Sequence, residues 1–378
     1  MSEIGQRIHE LRTERIPRLT QHELAERAGV SVDVIQKLEQ GRKATARIRT
    51  LSAIATALDV DLSSLLSKPT HLETVPVDGG LLALRRALTP VVDEPGEPAD
   101  LEDLHAQLGE AWSAYWSGDY DLLSAFLPGV IGSSRALPSK DLLAEACQIA
   151  ACTLVHLGHA DLSLVAAAQG LAAAEDPLLR AALTGTHSWV LLNQARAADA
   201  AVIAIREADE IEPRRRAPKA AISMWGNLLV TGATAAARSG NEDEARDLLQ
   251  VAHGAAVRLG EDRNDYQTAF GVSQVVMQRV DVAVVAGDYV GALDAARDMP
   301  ADTGLPLAAR ARHQTDLAHA HVALGHATEA ERILLDIERM APRWMRYQVF
   351  PRTVVGELLS TRKPTIAIKS LARRLGVE

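Results

Sequence analysis

A short turn recurs through the later part of the chain and constrains the fold more than any other feature. It reads SGDYDLL at Gly118, LGHADLS at Gly158, SGNEDEA at Gly240, AGDYVGA at Gly287 and LGHATEA at Gly325. Successive spacings are 40, 82, 47 and 38 residues, and 82 is two of 41. A period near 40 with one glycine turn per unit describes stacked helical hairpins, each covering the apolar face of the next. The missing turn is predicted near Ala195, within NQARAADAA, with a residue other than glycine at the turn. Ala245, Ala292 and Ala330, each five residues after a turn glycine, are small because the two helices of a hairpin touch there.

Composition agrees with an all-α fold, since aromatic residues make up only 3% of the 378 while hydrophobic residues reach 47%. The two cysteines, Cys147 and Cys152, lie five apart on a helical stretch and face different ways, so no disulfide framework is expected and a reducing compartment is implied. The opening MSEIGQRIHELR carries charges where a signal peptide needs an apolar core, and no run of 18 apolar residues follows. A cytoplasmic protein with no membrane partner is therefore expected. His313, His319, His321 and His326 lack a third ligand beside an i, i+4 pair, which argues against a metal site. No phosphate-cradling glycine loop, G-x-S-x-G, C-x-x-C or H-E-x-x-H is present, so no catalytic residue, no cofactor and no enzyme activity is expected.

Charge divides the chain. Residues 1–68 hold 11 Lys and Arg against 9 Asp and Glu, net +2, whereas the rest carries net −11. The first stretch is the one suited to a polyanion. Five prolines between Pro69 and Pro98 mark 69–100 as a linker, with one short apolar helix over 80–88. Helical repeats then fill 101–342, and 343–378 forms capping or dimerisation helices. The apolar positions Val354, Val355, Leu358, Leu359, Ile366, Ile368 and Leu371 are the candidate dimer surface.

Five short helices are predicted within 1–68. Thr20 and Glu23 form a capping-box pair, Ser31 is a second N-cap, and Gly29 and Gly41 stand where helices end. The run LTQHELAERAGVSVDVIQKLEQGRK, followed by TLSAIATALDV, closely resembles the lambda-repressor and Cro type domain of the XRE family over about residues 4–66. The resemblance implies a recognition helix from Ser31 to Glu39 in the DNA major groove and a homodimer on an inverted-repeat operator. It places Val32, Asp33, Gln36 and Lys37 toward the bases, and Gln21, Gln40, Arg42, Lys43 and Arg47 toward the phosphates. Chemically, Lys37 can donate to guanine, Asp33 can accept from cytosine and Val32 can touch a thymine methyl. Asp33 can equally serve its own helix as an N-terminal carboxylate.

The repeat region resembles the tetratricopeptide repeat, so the fold expected is a five-helix lambda-repressor-like domain followed by a tetratricopeptide-like α-solenoid. The segment GEDRNDYQTAFG at 260–271 and the tail from PRWMRYQ to LARRLGVE look like those of actinobacterial XRE regulators with such repeats. Counting back from each turn by the family's pattern gives an inward lining, from which Trp112, Trp116, Trp189, Asn193, Asn227 and Gln274 are the candidate ligand contacts. Packing within the superhelix is the alternative for the tryptophans. Within 260–271, Arg263, Asn264, Asp265, Tyr266 and Thr268 are a candidate polar cluster at one end of the cavity, with an ordered connection held by a salt bridge as the alternative. Two functions remain: a transcriptional regulator whose repeats sense a small molecule or short peptide, and a DNA-bound adaptor whose repeats recruit a protein.

Overall fold

In a computed structural model the chain divides into two compact units, residues 1–83 and 84–378. The structure describes residues 3–14, 18–42, 48–58, 79–90, 100–360 and 364–377. Among these every regular element is helical, and the one β-type contact is an isolated bridge between Arg263 and Phe270.

The first unit contains α1 (Glu3–Glu14), α2 (Gln21–Arg27), α3 (Val32–Glu39) and α4 (Ile48–Leu58). The fifth helix expected in 1–68 falls outside the described residues. Thr20 closes both halves of its capping box: its hydroxyl accepts from the Glu23 amide at 3.1 Å, and the Glu23 carboxylate accepts from the Thr20 amide at 2.7 Å. Ser31 occupies the N-cap position of α3 but makes no side-chain cap bond. Ile8, Leu24, Ile35, Leu38 and Ile54 are completely buried in one core.

In the second unit, six hairpins follow one another. They are α6 (Leu101–Ser117) with α7 (Tyr120–Ala136), α8 (Lys140–His156) with α9 (Ala160–Ala173), and α10 (Pro177–Asn193) with α11 (Ala197–Glu210). The remaining three are α12 (Lys219–Arg238) with α13 (Glu242–Leu259), α14 (Val272–Val285) with α15 (Tyr289–Ala295), and α16 (Leu307–Ala323) with α17 (Ala327–Met340). The short helix expected at 80–88 is α5 (Gly79–Leu88); its Leu84 and Leu88 are buried, and the carbonyls of Ala87 and Leu88 accept from Arg135 and Gln169. Its second half is thus fastened to the second unit.

All five turn glycines adopt positive φ, and so does Ala195, at 59°. Ala195 closes the same pair of backbone bonds as its glycine counterparts, with Ala195 N to Leu192 O at 3.1 Å and Arg196 N to Leu191 O at 3.0 Å. The hydrogen bonds that terminate the helix therefore override the alanine's dislike of left-handed backbone. Five residues after a turn, Ala200, Ala245, Ala292 and Ala330 are fully buried.

First helices of consecutive hairpins pack on one another in series, and α16 returns to touch α6. The chain then crosses back over the first turn through α18 (Pro342–Tyr347), where Trp344 is so close to Gly118 that a Cβ there would stand 2.8 Å from the Trp344 Cβ. Arg343 pairs with Asp119, and Tyr347 meets the Tyr120 ring edge-on at 5.3 Å. The repeats thus close on themselves instead of presenting an open groove. Two helices, α19 (Val349–Leu359) and α20 (Ile366–Leu375), complete the cap. Val354, Val355, Leu358, Ile368 and Leu371 are at most 3% exposed within this single chain, so these members of the expected dimer surface are consumed by the cap. Val349 and Ile366 remain outward. α12 is long and apolar enough to cross a membrane by length and composition, yet most of it is buried inside the unit.

Candidate functional site

Two sites emerge, one in each unit. In the first, α3 presents Asp33, Gln36 and Lys37 on its exposed face, with Asp33 and Lys37 joined by an i, i+4 ion pair of 2.7 Å. Val32 is half-buried against the core, and Gln40 and Arg42 are exposed just beyond the helix. Lys43 and Arg47 lie outside the described residues.

Beneath this face is a polar core that the sequence did not suggest. Glu39, 4% exposed, accepts from Arg12 at 2.8 and 2.9 Å and from the Gln21 amide at 2.7 Å, and the His9 ring lies 3.1 Å away. Arg12 also donates to the Leu19 carbonyl at 2.8 Å. Burial works to raise the Glu39 carboxyl, but hydrogen bonds from Arg12, Gln21 and His9, with the Arg12 charge, outweigh it and hold it below its usual range. Gln21, expected at a phosphate, therefore has its side-chain amide engaged by Glu39, tying α2 to the end of α3.

In the second unit the inner helices line a half-open cavity of about 510 Å³. Trp116, Trp189, Asn193, Asn227 and Gln274 line it. Trp112 does not: it is 3% exposed behind Trp116, on which it stacks with centroids 6.5 Å apart, and its indole N–H donates to Glu145 at 2.8 Å. That contact corrects the expected ligand role of Trp112, because its face and its donor are both occupied internally.

The segment 260–271 turns inward and fills part of the concave side. Three of its non-glycine residues, Tyr266, Gln267 and Ala269, have φ between 48° and 60°. That conformation is held by many contacts. Asn227 donates to the Thr268 carbonyl at 2.9 Å, Gln148 to the Tyr266 carbonyl at 3.3 Å and Trp116 to Gln267 at 2.9 Å. The Tyr266 hydroxyl donates to Asp176 at 2.6 Å, and Arg263 grips Asp265 at 2.7 and 2.9 Å. Phe270 is buried over Gly226, where a Cβ would lie 2.0 Å from the ring. Close approach of a ring to backbone is what demands glycine at 226.

At one part of the wall Asp281 is shared by Arg238 and Arg312, and Arg312 also holds Asp316 at 3.1 Å. Burial alone would raise Asp281, but the two guanidinium groups hold it below its usual range; Asp316, with less compensation for its burial, sits above. Phe350 covers Arg312 at 4.9 Å. Elsewhere the lining is aromatic, with Tyr115 and Trp189 beside His156 and Trp116 against Tyr115. Burial pushes His156 down to about 3, leaving a neutral imidazole that bonds Gln348 at 3.0 Å. Cys152 also lines the cavity; burial pushes its thiol, like that of Cys147, up to about 12, far from a nucleophile's range.

Missed by the sequence reading are Gln267 and the group Trp344, Tyr347, Gln348 and Phe350, whereas Thr268, a member of the candidate polar cluster, does line the cavity. Gln267 sits in the register break, and the others arrive by the fold-back over Gly118; neither follows the repeat spacing. Among the described residues, no cluster of three or more His, Cys, Asp or Glu is placed to hold a metal ion.

Residues 11–65 match the helix-turn-helix family HTH_3. Over 76 residues the chain is 34% identical to the uncharacterized HTH-type transcriptional regulator RghRB of Bacillus subtilis (strain 168), covering 20% of this chain and 53% of that one. The chain thus spans about half the length of that relative. Among solved structures, PlcR of Bacillus thuringiensis, in complex with the peptide PapR7 and DNA, aligns over 78% of this chain and 94% of its own, at 10% identity and a TM-score of 0.39. Residues 11–65 thus match a helix-turn-helix domain by sequence, and within them α2 and α3 stand as two short helices joined by a tight turn.

Proposed function

We propose that this protein is a sequence-specific, DNA-binding transcriptional regulator whose second unit senses a small effector and tunes operator binding. The observation that carries the reading is the exposed face of α3, where Asp33, Gln36 and Lys37 are free of the core while Ile35, Leu38 and Glu39 anchor the helix. Val32, Asp33, Gln36 and Lys37 read base edges; Gln40, Arg42, Lys43 and Arg47 meet phosphates, and Gln21, one amide hydrogen held by Glu39, has its second to offer beside them. A homodimer places two such helices in successive major grooves of an inverted repeat, roughly 34 Å apart. The cavity supplies the sensor, and its lining by Trp116, Trp189 and inward amides suits binding rather than chemistry. Occupation of the inner-helix amides by residues 266 and 268 disfavours the adaptor reading, which needs that face free for a protein.

The test is operator selection with the full chain, followed by footprinting. A two-fold site is expected, Lys37→Ala is expected to change the preferred sequence, and Arg42→Ala to weaken all sequences alike while lowering the salt slope by roughly one unit. Failure to select any two-fold site would refute the reading.

A further inference from the structure

The class of effector can be narrowed, on the reading just given that the cavity is a sensor. An extended peptide lying along inner-helix amides needs those amides to hold its backbone. Here Gln148 and Asn227 already hold a backbone, that of the chain's own residues 266 and 268. That segment is secured on either side by Tyr266 on Asp176 and by Phe270 over Gly226. A peptide would first have to evict it.

What remains is a cavity of about 510 Å³, within the range that holds compact ligands. Its charged lining groups are Arg238, Asp281, Arg312 and Asp316, two of each sign and mutually paired, and His156 is neutral. An ionised ligand would lose its hydration without gaining an uncommitted counter-charge. The indoles of Trp116 and Trp189 offer flat apolar surface. One polar request is left unanswered. Gln274 lines the cavity at 9% exposure; its Oε1 is covered and has no hydrogen-bond partner, so a turn of the side-chain amide is what brings it to a ligand. A buried acceptor without a donor is costly, so a ligand that donates there gains selectivity.

We infer that the effector is an uncharged, planar aromatic small molecule that donates an N–H or O–H hydrogen bond to Gln274 Oε1, and not a peptide. Calorimetric titration of the full chain with four probes tests this. The probes are 2-naphthol, 2-methoxynaphthalene, 2-naphthoate and the acetylated, amidated peptide NDYQTAF, which copies residues 264–270. 2-Naphthol is expected to bind about fivefold more tightly than 2-methoxynaphthalene, the worth of one added hydrogen bond. 2-Naphthoate is expected to bind at least about tenfold more weakly than 2-naphthol. Gln274→Leu should bring the naphthol to methoxynaphthalene ratio to about one while leaving methoxynaphthalene affinity in place, a contrast that a merely unfolded variant cannot produce. Equal binding of naphthol and its methyl ether to the unaltered protein, tighter binding of naphthoate or the peptide, or no binding of naphthol at millimolar concentration overturns the inference. The sensor reading fails by a different result: Trp189→Ala leaving operator regulation unchanged in the producing cell.

Discussion

The outer face of α3 and the inner wall of the second unit carry the same kinds of side chain, yet they dispose of their hydrogen bonds differently. Asp33 and Lys37 pair with side chains 63% and 50% exposed, where water competes for every contact. Asp281 and Asp316 are 5% and 0% exposed, and their bonds to Arg238 and Arg312 take the place of most of the water the carboxylates would otherwise hold. An exposed pair can exchange its partner for a base edge at little cost, whereas a buried cluster is fixed and can only shape what enters beside it. The same contrast recurs within the first unit, between Asp33 on the surface and Glu39 beneath it.

Breaking a buried pair should have the largest effect. Glu39→Ala strands Arg12 and is expected to destabilise the first unit by about 3–5 kcal/mol, visible by calorimetry as an earlier transition of that unit. An unshifted transition would mean that the network contributes no more than the exposed pair. Next comes Gly226→Ala, which forces a methyl into the Phe270 ring; a loss of about 1–3 kcal/mol is expected, with faster proteolysis in 260–271. Unchanged cleavage there would show that Phe270 does not secure the segment.

A smaller effect comes from pH. His156 has its pKa pushed down to about 3 in the fold, below the usual 6.5, so the unfolded chain takes up the proton first. Stability of the second unit should therefore fall as the pH drops below about 6.5. Because the ring borders the cavity, the loss between pH 7 and pH 5 is expected to be on the order of 1 kcal/mol, and His156→Phe should flatten that part of the denaturation profile. Smallest in stability is Asp33→Ala, expected to change the unfolding midpoint by no more than about 0.5 kcal/mol while altering which operator is selected. If it destabilised the first unit as much as Glu39→Ala, the distinction between exposed and buried pairs would collapse.

Local pattern made much of the molecule legible. The glycine hairpin turns could be placed to the residue and the one without glycine near Ala195, because a helix end needs a left-handed residue whose approximate position the repeat period marks. The inward positions of Trp116, Trp189, Asn227 and Gln274 followed from the resemblance to the tetratricopeptide repeat, whose pattern counts them back from each turn without reference to distant parts of the chain. Trp112 obeyed the same spacing but was covered by Glu145 and Trp116, a matter of neighbouring side chains that periodicity does not address.

By itself, then, the sequence determined the helices and their turns, which depend on residues a few positions apart, and through its resemblances it marked the outer face of α3 and the side of each repeat that faces inward. Only the tertiary structure decided that α16 returns to α6, that Trp344 seats on Gly118, and that residues 266–268 occupy the inward amides. Closure depends on the small rotation between successive hairpins added over six of them, and a period near 40 does not specify that angle. The cavity's size and its neutral, half-filled interior are consequences of that accumulated rotation.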